Sequence, residues 1–406
     1  MTLHLFYGHA VSGSQRFPRP DLEADMLRVL EHSSGLKMFH LRRIGKSTFT
    51  VLAEERMRDR GYTVVSVDAQ GLRSPDQLLF AMFAALPRHE GGLLGRMTAW
   101  VASDAAIPQL LRDTLSGALK GIVPRDKDVS SGINHYWPTI SAQIVRALQD
   151  ERTKMLMTID EFTYLLKNMM EDPRSNEPGA QGRQQADMLL ASMREWRKAG
   201  LKMILTGSIG LLGLARKHRF SIEHVNDLSS FQIPPLRDEE ARAFIAAAVA
   251  GHPGSTWTDA HTQALLHESQ ILYPAFLVKG LLAIGMANPP PVEAFSEIFA
   301  SRVRPELHDN FIAQLNTRFR LYRDLDNAAQ RALIVPILKQ IMATSPAPCP
   351  QSSLKSPGVF DQIDVQDGLS LLHEDGFILY NEARDGGRDW RSSSRLVDLW
   401  WKRTGL

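Results

Sequence analysis

Three short stretches of this sequence carry residue types suited to handling a phosphate. The first is His40-Leu41-Arg42-Arg43-Ile44-Gly45-Lys46-Ser47, followed by Thr48. It fits G-x-x-x-x-G-K-[ST] at every defined position but the first, where histidine replaces glycine. In such a loop the backbone N–H groups point at phosphate oxygens, and the N-terminus of the following helix adds a favourable field. Lys46 would reach the β- and γ-phosphates, and Ser47 would offer its hydroxyl to Mg²⁺. Histidine at 40 is expected to restrict the turn, because a Cβ disfavours the positive φ that glycine tolerates. The plain alternative is a helix N-terminus that happens to carry Gly-Lys-Ser.

The second stretch, residues 154–161 (KMLMTIDE), is an apolar run that ends in Asp160 and Glu161. A buried strand ending this way sets both acids at the carboxyl edge of a sheet, where open α/β sheets bind ligands. Asp160 would orient Mg²⁺ and Glu161 would polarise a water. Solvated acids at a strand end are the alternative. The third, residues 201–206 (LKMILT), leads to Gly207 and Ser208. A polar residue there can touch a γ-phosphate or the water, unless it is only a Gly-Ser turn.

The elements that position these groups follow from the hydrophobic pattern. Residues 1–20 read as an irregular arm and 21–32 as an amphipathic helix with Asp21 at its N-cap. Strands are expected at 36–41, 62–69, 154–159, 201–206 and near 229–234 (SSFQIP), with a helix after the first that Gly61 closes. Strand–helix–strand order marks a parallel α/β sheet. Lys46 and Asp160 are far apart in sequence, so the helical stretch at about 74–150, broken by polar turns such as PRDKDVSSG, must be an insertion or an enlarged crossover. Residues 171–184 read as a polar loop before a helix at 183–199. Beyond Pro235 the strand signal stops and helical patterns follow. The expected domains are 1–235, a P-loop domain, 236–304, a helical lid, and 305–406. The last unit shows helices at 326–342 and 362–375 and a hairpin around Asp385-Gly386-Gly387, which suggests a winged helix.

With those residues in place, the sequence resembles the archaeal-type ATPases of the STAND and AAA+-like group, cousins of replication-initiator ATPases. The resemblance is carried by Arg42–Ser47, Asp160-Glu161 and residues 205–208. Weaker support comes from Phe17–Glu23, from Ile233–Leu236 with the following DEEARAFI, and from Tyr273–Leu277. It spans roughly residues 17–280 and, weakly, the C-terminal unit. It implies an α/β P-loop NTPase with a five-stranded parallel sheet, the P-loop strand in the middle, a helical lid and a winged helix. It also implies ATP and Mg²⁺ as cofactors, a nucleotide-dependent switch that is often oligomeric, and packing of Pro274 on bound nucleotide. The pattern is broken at His40, and an arginine finger is not obvious. Arg216 and Arg219, which follow Ser208, are the candidates, with a solvated basic turn as the alternative. Slow hydrolysis, or binding with little turnover, stays open.

Composition narrows the remaining classes. The apolar fraction is 44%, the charged fraction 23% and the net charge +2, so nucleic-acid binding would need a local patch. The helix at 361–375 is acidic, which disfavours a DNA groove, whereas Arg384, Arg388, Arg391 and Arg395 could meet a phosphate backbone. A protein partner or homo-oligomer is the leading expectation and DNA the second. Trp400 and Trp401 are expected in a core, with an exposed docking patch as the alternative. The 13 histidines form no metal pattern, and the single Cys349 excludes a disulfide framework and has no nearby base. A reducing cytosol and no membrane span are expected.

Overall fold

The apolar runs of the N-terminal half assemble into one sheet in the computed structural model, which describes residues 3–7, 10–87, 92–105, 107–121, 127–149, 154–171, 180–269, 271–323, 328–358, 360–382 and 387–404. After the arm, α1 (Pro20–His32) leads into β1 (Gly35–Phe39), α2 (Lys46–Asp59) and β2 (Thr63–Asp68). Helices α3 (Pro75–Ala85), α4 (Gly92–Ser103), α5 (Gln109–Leu119) and α6 (Lys127–Leu148) fill the stretch before β3 (Met155–Asp160). Then come α7 (Phe162–Met170), α8 (Ala180–Lys198), β4 (Leu201–Gly207), α9 (Leu211–His218) and β5 (Ser229–Ser230).

Four boundaries differ from expectation. Pro20 takes the first helical position of α1 and Arg19 the cap, so Asp21 lies inside the first turn. Proline's fixed φ suits that place, and Glu23 Oε1 accepts the Arg19 N–H at 2.8 Å. α6 starts at Lys127, so helix replaces much of the expected polar turn, and α8 starts at Ala180. Residues 172–179 of the expected polar loop lie outside the described residues. β5 keeps only two laddered residues, with one more bond from Phe231 N–H to the Lys37 carbonyl. Pro234 and Pro235 cannot donate to a ladder, so the chain leaves the sheet.

The strand order is β2-β3-β4-β1-β5, with every neighbouring pair parallel. The P-loop strand is therefore next to the edge, and β4 holds the centre instead. β4 is almost wholly buried, as a strand covered on both faces must be. Its place between β1 and β3 sets Thr206 between the P-loop and Asp160.

Alternation along the strands divides the core. Leu36, Met38, Leu156 and Ile204 face one cluster, shared with α2, the helices after residue 235 and the C-terminal unit. Met155, Met157, Ile159, Met203 and Leu205 face the other, which takes in α3 to α8. The stretch at 74–150 is thus an enlarged crossover packed on the sheet. Trp137 and Trp196 fasten it to α8 by donating to Ser192 Oγ at 2.8 Å and Ser141 Oγ at 2.9 Å.

Helices α10 (Asp238–Val249), α11 (Asp259–Ser269) and α12 (Pro274–Ile284) follow the sheet. A short α13 (Phe295–Ile298) passes through a π-helical turn (Phe299–Val303) into α14 (Arg304–Arg323). The chain ends in α15 (Ala328–Thr344), β6 (Cys349–Pro350), α16 (Gln362–Glu374), β7 (Ile378–Glu382), β8 (Arg388–Ser392) and α17 (Arg395–Thr404). The three strands form an antiparallel sheet of order β6-β8-β7 beside α15 and α16, the arrangement of a winged helix. Trp400 is fully buried and donates to Asn316 Oδ1 at 2.8 Å, while Trp401 is half-buried. The whole is an α/β P-loop NTPase fold, AAA+-like in its five-stranded parallel sheet, with helices beyond the sheet and a C-terminal winged helix. Among the described residues no helix is long and apolar enough to cross a membrane.

Candidate nucleotide-binding site

β1 delivers the chain to a loop at residues 40–45 that turns on two left-handed residues. Arg43 has φ 71° and Gly45, the cap of α2, has φ 103°. His40 is not among the positive-φ residues, so the cost expected there is not incurred. It falls instead on Arg43, where a side chain in this region costs about 1–2 kcal/mol.

Lys46 is 6% exposed and folds back on the loop, donating to the carbonyls of His40 and Leu41, both at 2.9 Å. Burial holds its pKa down to about 8, and Arg318 and Arg42 push the same way, while Glu161 and Asp160 oppose them. Ser47 Oγ donates to Asp160 Oδ2 at 3.3 Å. Asp160 Oδ1 accepts from the Thr206 hydroxyl and from the Glu161 N–H.

Glu161 caps α7 in the left-handed region, at φ 53°. That turn swings its carboxylate toward the tip of β4. There Oε2 accepts from Ser208 N–H at 2.9 Å and from Ser208 Oγ at 2.8 Å. Arg42 closes the group: its Nε donates to Ser208 Oγ at 3.2 Å and lies 3.9 Å from Glu161 Oε1, and its Nη2 donates to the Tyr164 hydroxyl at 3.2 Å.

These residues open on a cavity of about 330 Å³. It is lined by Arg42 to Thr48 with Asp160 and Glu161, by the apolar Phe17, Ile233, Phe244 and Val278, and by Arg19 and Glu23. Phe17 and Phe244 meet edge to face at 5.4 Å. Pro274, at the first position of α12, also lines it, as does the arm through Tyr7 and Arg16. A flat ring joined to a polyanion matches this mixed lining.

Most of the expected site residues therefore converge, and three do not. The His40 ring turns away into a second cavity with Tyr273 and His373, and its Nε2 lies 3.2 Å from the Phe231 carbonyl. Burial first, then the charges of Lys46 and Arg318, lower its pKa to about 3, so the ring is neutral. His40 serves the site through its backbone carbonyl. Arg219 is exposed at the C-cap of α9, with φ 58°, and is not among the residues lining the first cavity. Arg216 pairs with Asp367 of α16.

Sequence reasoning missed Tyr164, Gln314 and Arg318. Tyr164 lies three residues after Glu161, a spacing that brings side chains to one face of a helix. Gln314 Oε1 accepts the Arg42 N–H at 2.9 Å, and buried Arg318 donates to the Ser208 carbonyl. Both come from α14, and no local pattern announces them.

The chain matches no protein-family model and no curated protein. Its structure is similar to several solved structures over almost the whole length of the chain. A Walker-type ATPase of Pyrococcus abyssi is 12% identical, with 96% of each chain covered and a TM-score of 0.49. The ORC2 protein of Aeropyrum pernix, in ADPNP–ADP complexes, is 13% identical, with 95% of this chain and 93% of that one covered and a TM-score of 0.41. Cdc6p of Pyrobaculum aerophilum is 11% identical, with 95% and 92% covered and a TM-score of 0.36. The strand order β2-β3-β4-β1-β5 and the loop between β1 and α2 define the fold.

Proposed function

We propose that this chain binds Mg-ATP in the cavity beside the P-loop and hydrolyses it as a molecular switch. The observation that carries this reading is the meeting of Ser47 Oγ and Asp160 Oδ2 at 3.3 Å, beside Lys46 in a cavity that Phe17 and Phe244 also line. A hydroxyl and a carboxylate are hard oxygen donors and suit Mg²⁺, which takes few protein ligands and fills its shell with phosphate oxygens and water. Bound there, the ion would neutralise charge on the β- and γ-phosphates.

The other roles follow from chemistry. Lys46 leaves the two loop carbonyls and donates to phosphate oxygens, which are stronger, charged acceptors. The N–H groups of the loop face the same anion. Glu161 accepts a proton from the attacking water once Ser208 releases its carboxylate. Pro274 and Phe17 pack on the base. Because helices beyond residue 235 line the cavity and α14 reaches Ser208, the nucleotide state would alter the position of the lid and the winged helix and so control a protein partner or self-association.

Equilibrium binding of a fluorescent ADP to the wild type and to Lys46→Ala tests the reading. The wild type binds and the variant loses most of its affinity; equal affinity would sink it. A DNA-handling ATPase is the second reading, favoured by exposed Arg391, Arg395, Lys402 and Arg403 on the C-terminal unit. Salt-sensitive retention of duplex DNA supports it, and none at low salt removes it.

A further inference from the structure

We propose that Arg42 completes the γ-phosphate site from within the same chain, its guanidinium moving from Ser208 and Tyr164 onto the terminal phosphate of bound ATP. This rests on the ATPase reading above and supplies what the sequence lacks, an obvious arginine finger.

The loop itself aims the residue. Left-handed Arg43 separates two consecutive arginines: its own guanidinium stacks on Tyr7 of the arm, 4.9 Å from the ring centroid, while Arg42 goes to the Glu161 side. The Arg42 backbone is pinned by Gln314 at 2.9 Å, yet its side chain is 43% exposed. A fixed root with a solvated head can swing at small cost. The other nearby arginines are placed differently. Arg318 is buried against Asp375 and the Ser208 carbonyl, Arg216 is paired with Asp367, and Arg219 lies off the cavity lining.

The present partners of Arg42 are also exchangeable. Two are neutral hydroxyls, at 3.2 Å each, and the carboxylate is 3.9 Å away. A γ-phosphate offers charged oxygens to the same fork, and guanidinium–phosphate bonds are the stronger ones. The exchange has a second effect. Ser208 loses a donor and Glu161 a nearby cation, so the arrangement that holds Glu161 loosens as the phosphate is engaged. In the reaction, the water oxygen bonds to the γ-phosphorus and one water proton passes to Glu161. The bond to the β–γ bridging oxygen breaks and its electron pair leaves on ADP, releasing inorganic phosphate. Arg42 stabilises the charge on the transferring group, a role worth roughly 10³–10⁵ in rate where an arginine supplies it.

The test uses the full chain with Mg-ATP in single-turnover hydrolysis over a wide range of protein concentration, together with ADP binding and trapping of ADP by aluminium fluoride. The rate per chain is expected to be independent of concentration. R42A is expected to lose about 10³-fold in rate and to lose aluminium fluoride trapping. It should keep wild-type ADP affinity, because ADP has no γ-phosphate. R42K is expected to recover only some of the rate, as a point charge without the fork. A rate that climbs with protein concentration, or an R42A that hydrolyses normally, overturns the proposal. Equal loss of ADP binding and turnover in R42A and R42K marks a structural role and also overturns it, as does a wild type that binds ATP without turning it over. A wild type that binds no ATP fails at an earlier step and takes the ATPase reading with it.

Discussion

The backbone carbonyl of Ser208 accepts a hydrogen bond from the guanidinium of Arg318, so the residue that holds Glu161 is itself held by α14. The same guanidinium donates to the carbonyl of Asp375 at the end of α16. Asp375 is fully buried and accepts from the Tyr322 hydroxyl at 2.6 Å. Burial raises its pKa, against the pull of Arg318 and Tyr322. Packing allows little adjustment: a Cβ on Gly210 would come 1.7 Å from Asp375 Oδ1. A continuous chain of contacts thus joins the winged helix to the carboxyl edge of the sheet.

Breaking that chain from one side leaves a buried charge without its partner. Arg318→Met should destabilise the protein by about 3–5 kcal/mol. Asp375→Asn removes the charge but keeps polar atoms, so it should cost less. In the double variant the loss should fall well short of the sum. Urea unfolding of all four proteins measures this; additive losses would show that the two residues are not coupled.

Glu374, next in the chain, gives a pH signature. Burial raises its pKa to about 7, and the charge of Asp375 adds to the rise, while the Leu212 N–H, Lys37 and Arg318 oppose it. Between the ordinary value of 4.5 and about 7 the folded chain holds this proton and the unfolded chain does not. Stability from this group therefore falls as pH climbs through that window and stays low above it. Glu374→Gln keeps an acceptor for Leu212 N–H and cannot ionise. Above the window it should gain stability over the wild type on the order of 2 kcal/mol, and lose that gain at pH near 4.5. Parallel stability curves for the two proteins across that range would refute the assignment.

Gly35 and Gly61 both have positive φ, yet they should respond differently to alanine. At Gly35 a Cβ would sit 1.8 Å from the Met203 carbonyl oxygen, inside the β1–β4 ladder. Around Gly61 there is nothing within 4 Å. Gly61→Ala meets only backbone strain, about 1–2 kcal/mol. Gly35→Ala must also force β1 away from β4 and should cost about 3 kcal/mol or more. Thermal melts of the pair test this, and equal losses would mean the sheet yields at Gly35.

How far the sequence foretold this arrangement depends on the range of the interaction. β1 to β4 were legible because doubly covered parallel strands are unbroken apolar runs, and their polar tips mark the carboxyl edge. Their order was not, since nothing local tells β4 to enter between β1 and β3. A motif counts residues without dihedrals, so the strain expected at His40 lies at Arg43. Arg216 and Arg219 were near Ser208 in sequence, but α9 carries them away from the cavity. Arg318, remote in the chain, reaches Ser208 through the packing of α14, which periodicity cannot report. Arg384 lies outside the described residues.

Glu161 is the position where binding and chemistry should separate. Its left-handed backbone and its two bonds from Ser208 fix the carboxylate at the cavity without using it to hold Asp160 or Ser47. Glu161→Gln keeps an oxygen for Ser208 N–H and preserves the cavity shape, but the amide cannot take a proton from water. ATP affinity should stay near that of the wild type, and phosphate release should fall about 10²–10⁴-fold, the span of general-base contributions. The variant should therefore accumulate ATP-bound chain, seen as retained nucleotide after gel filtration. Phosphate release at the wild-type rate would remove Glu161 from the chemistry and leave it as a cap of α7.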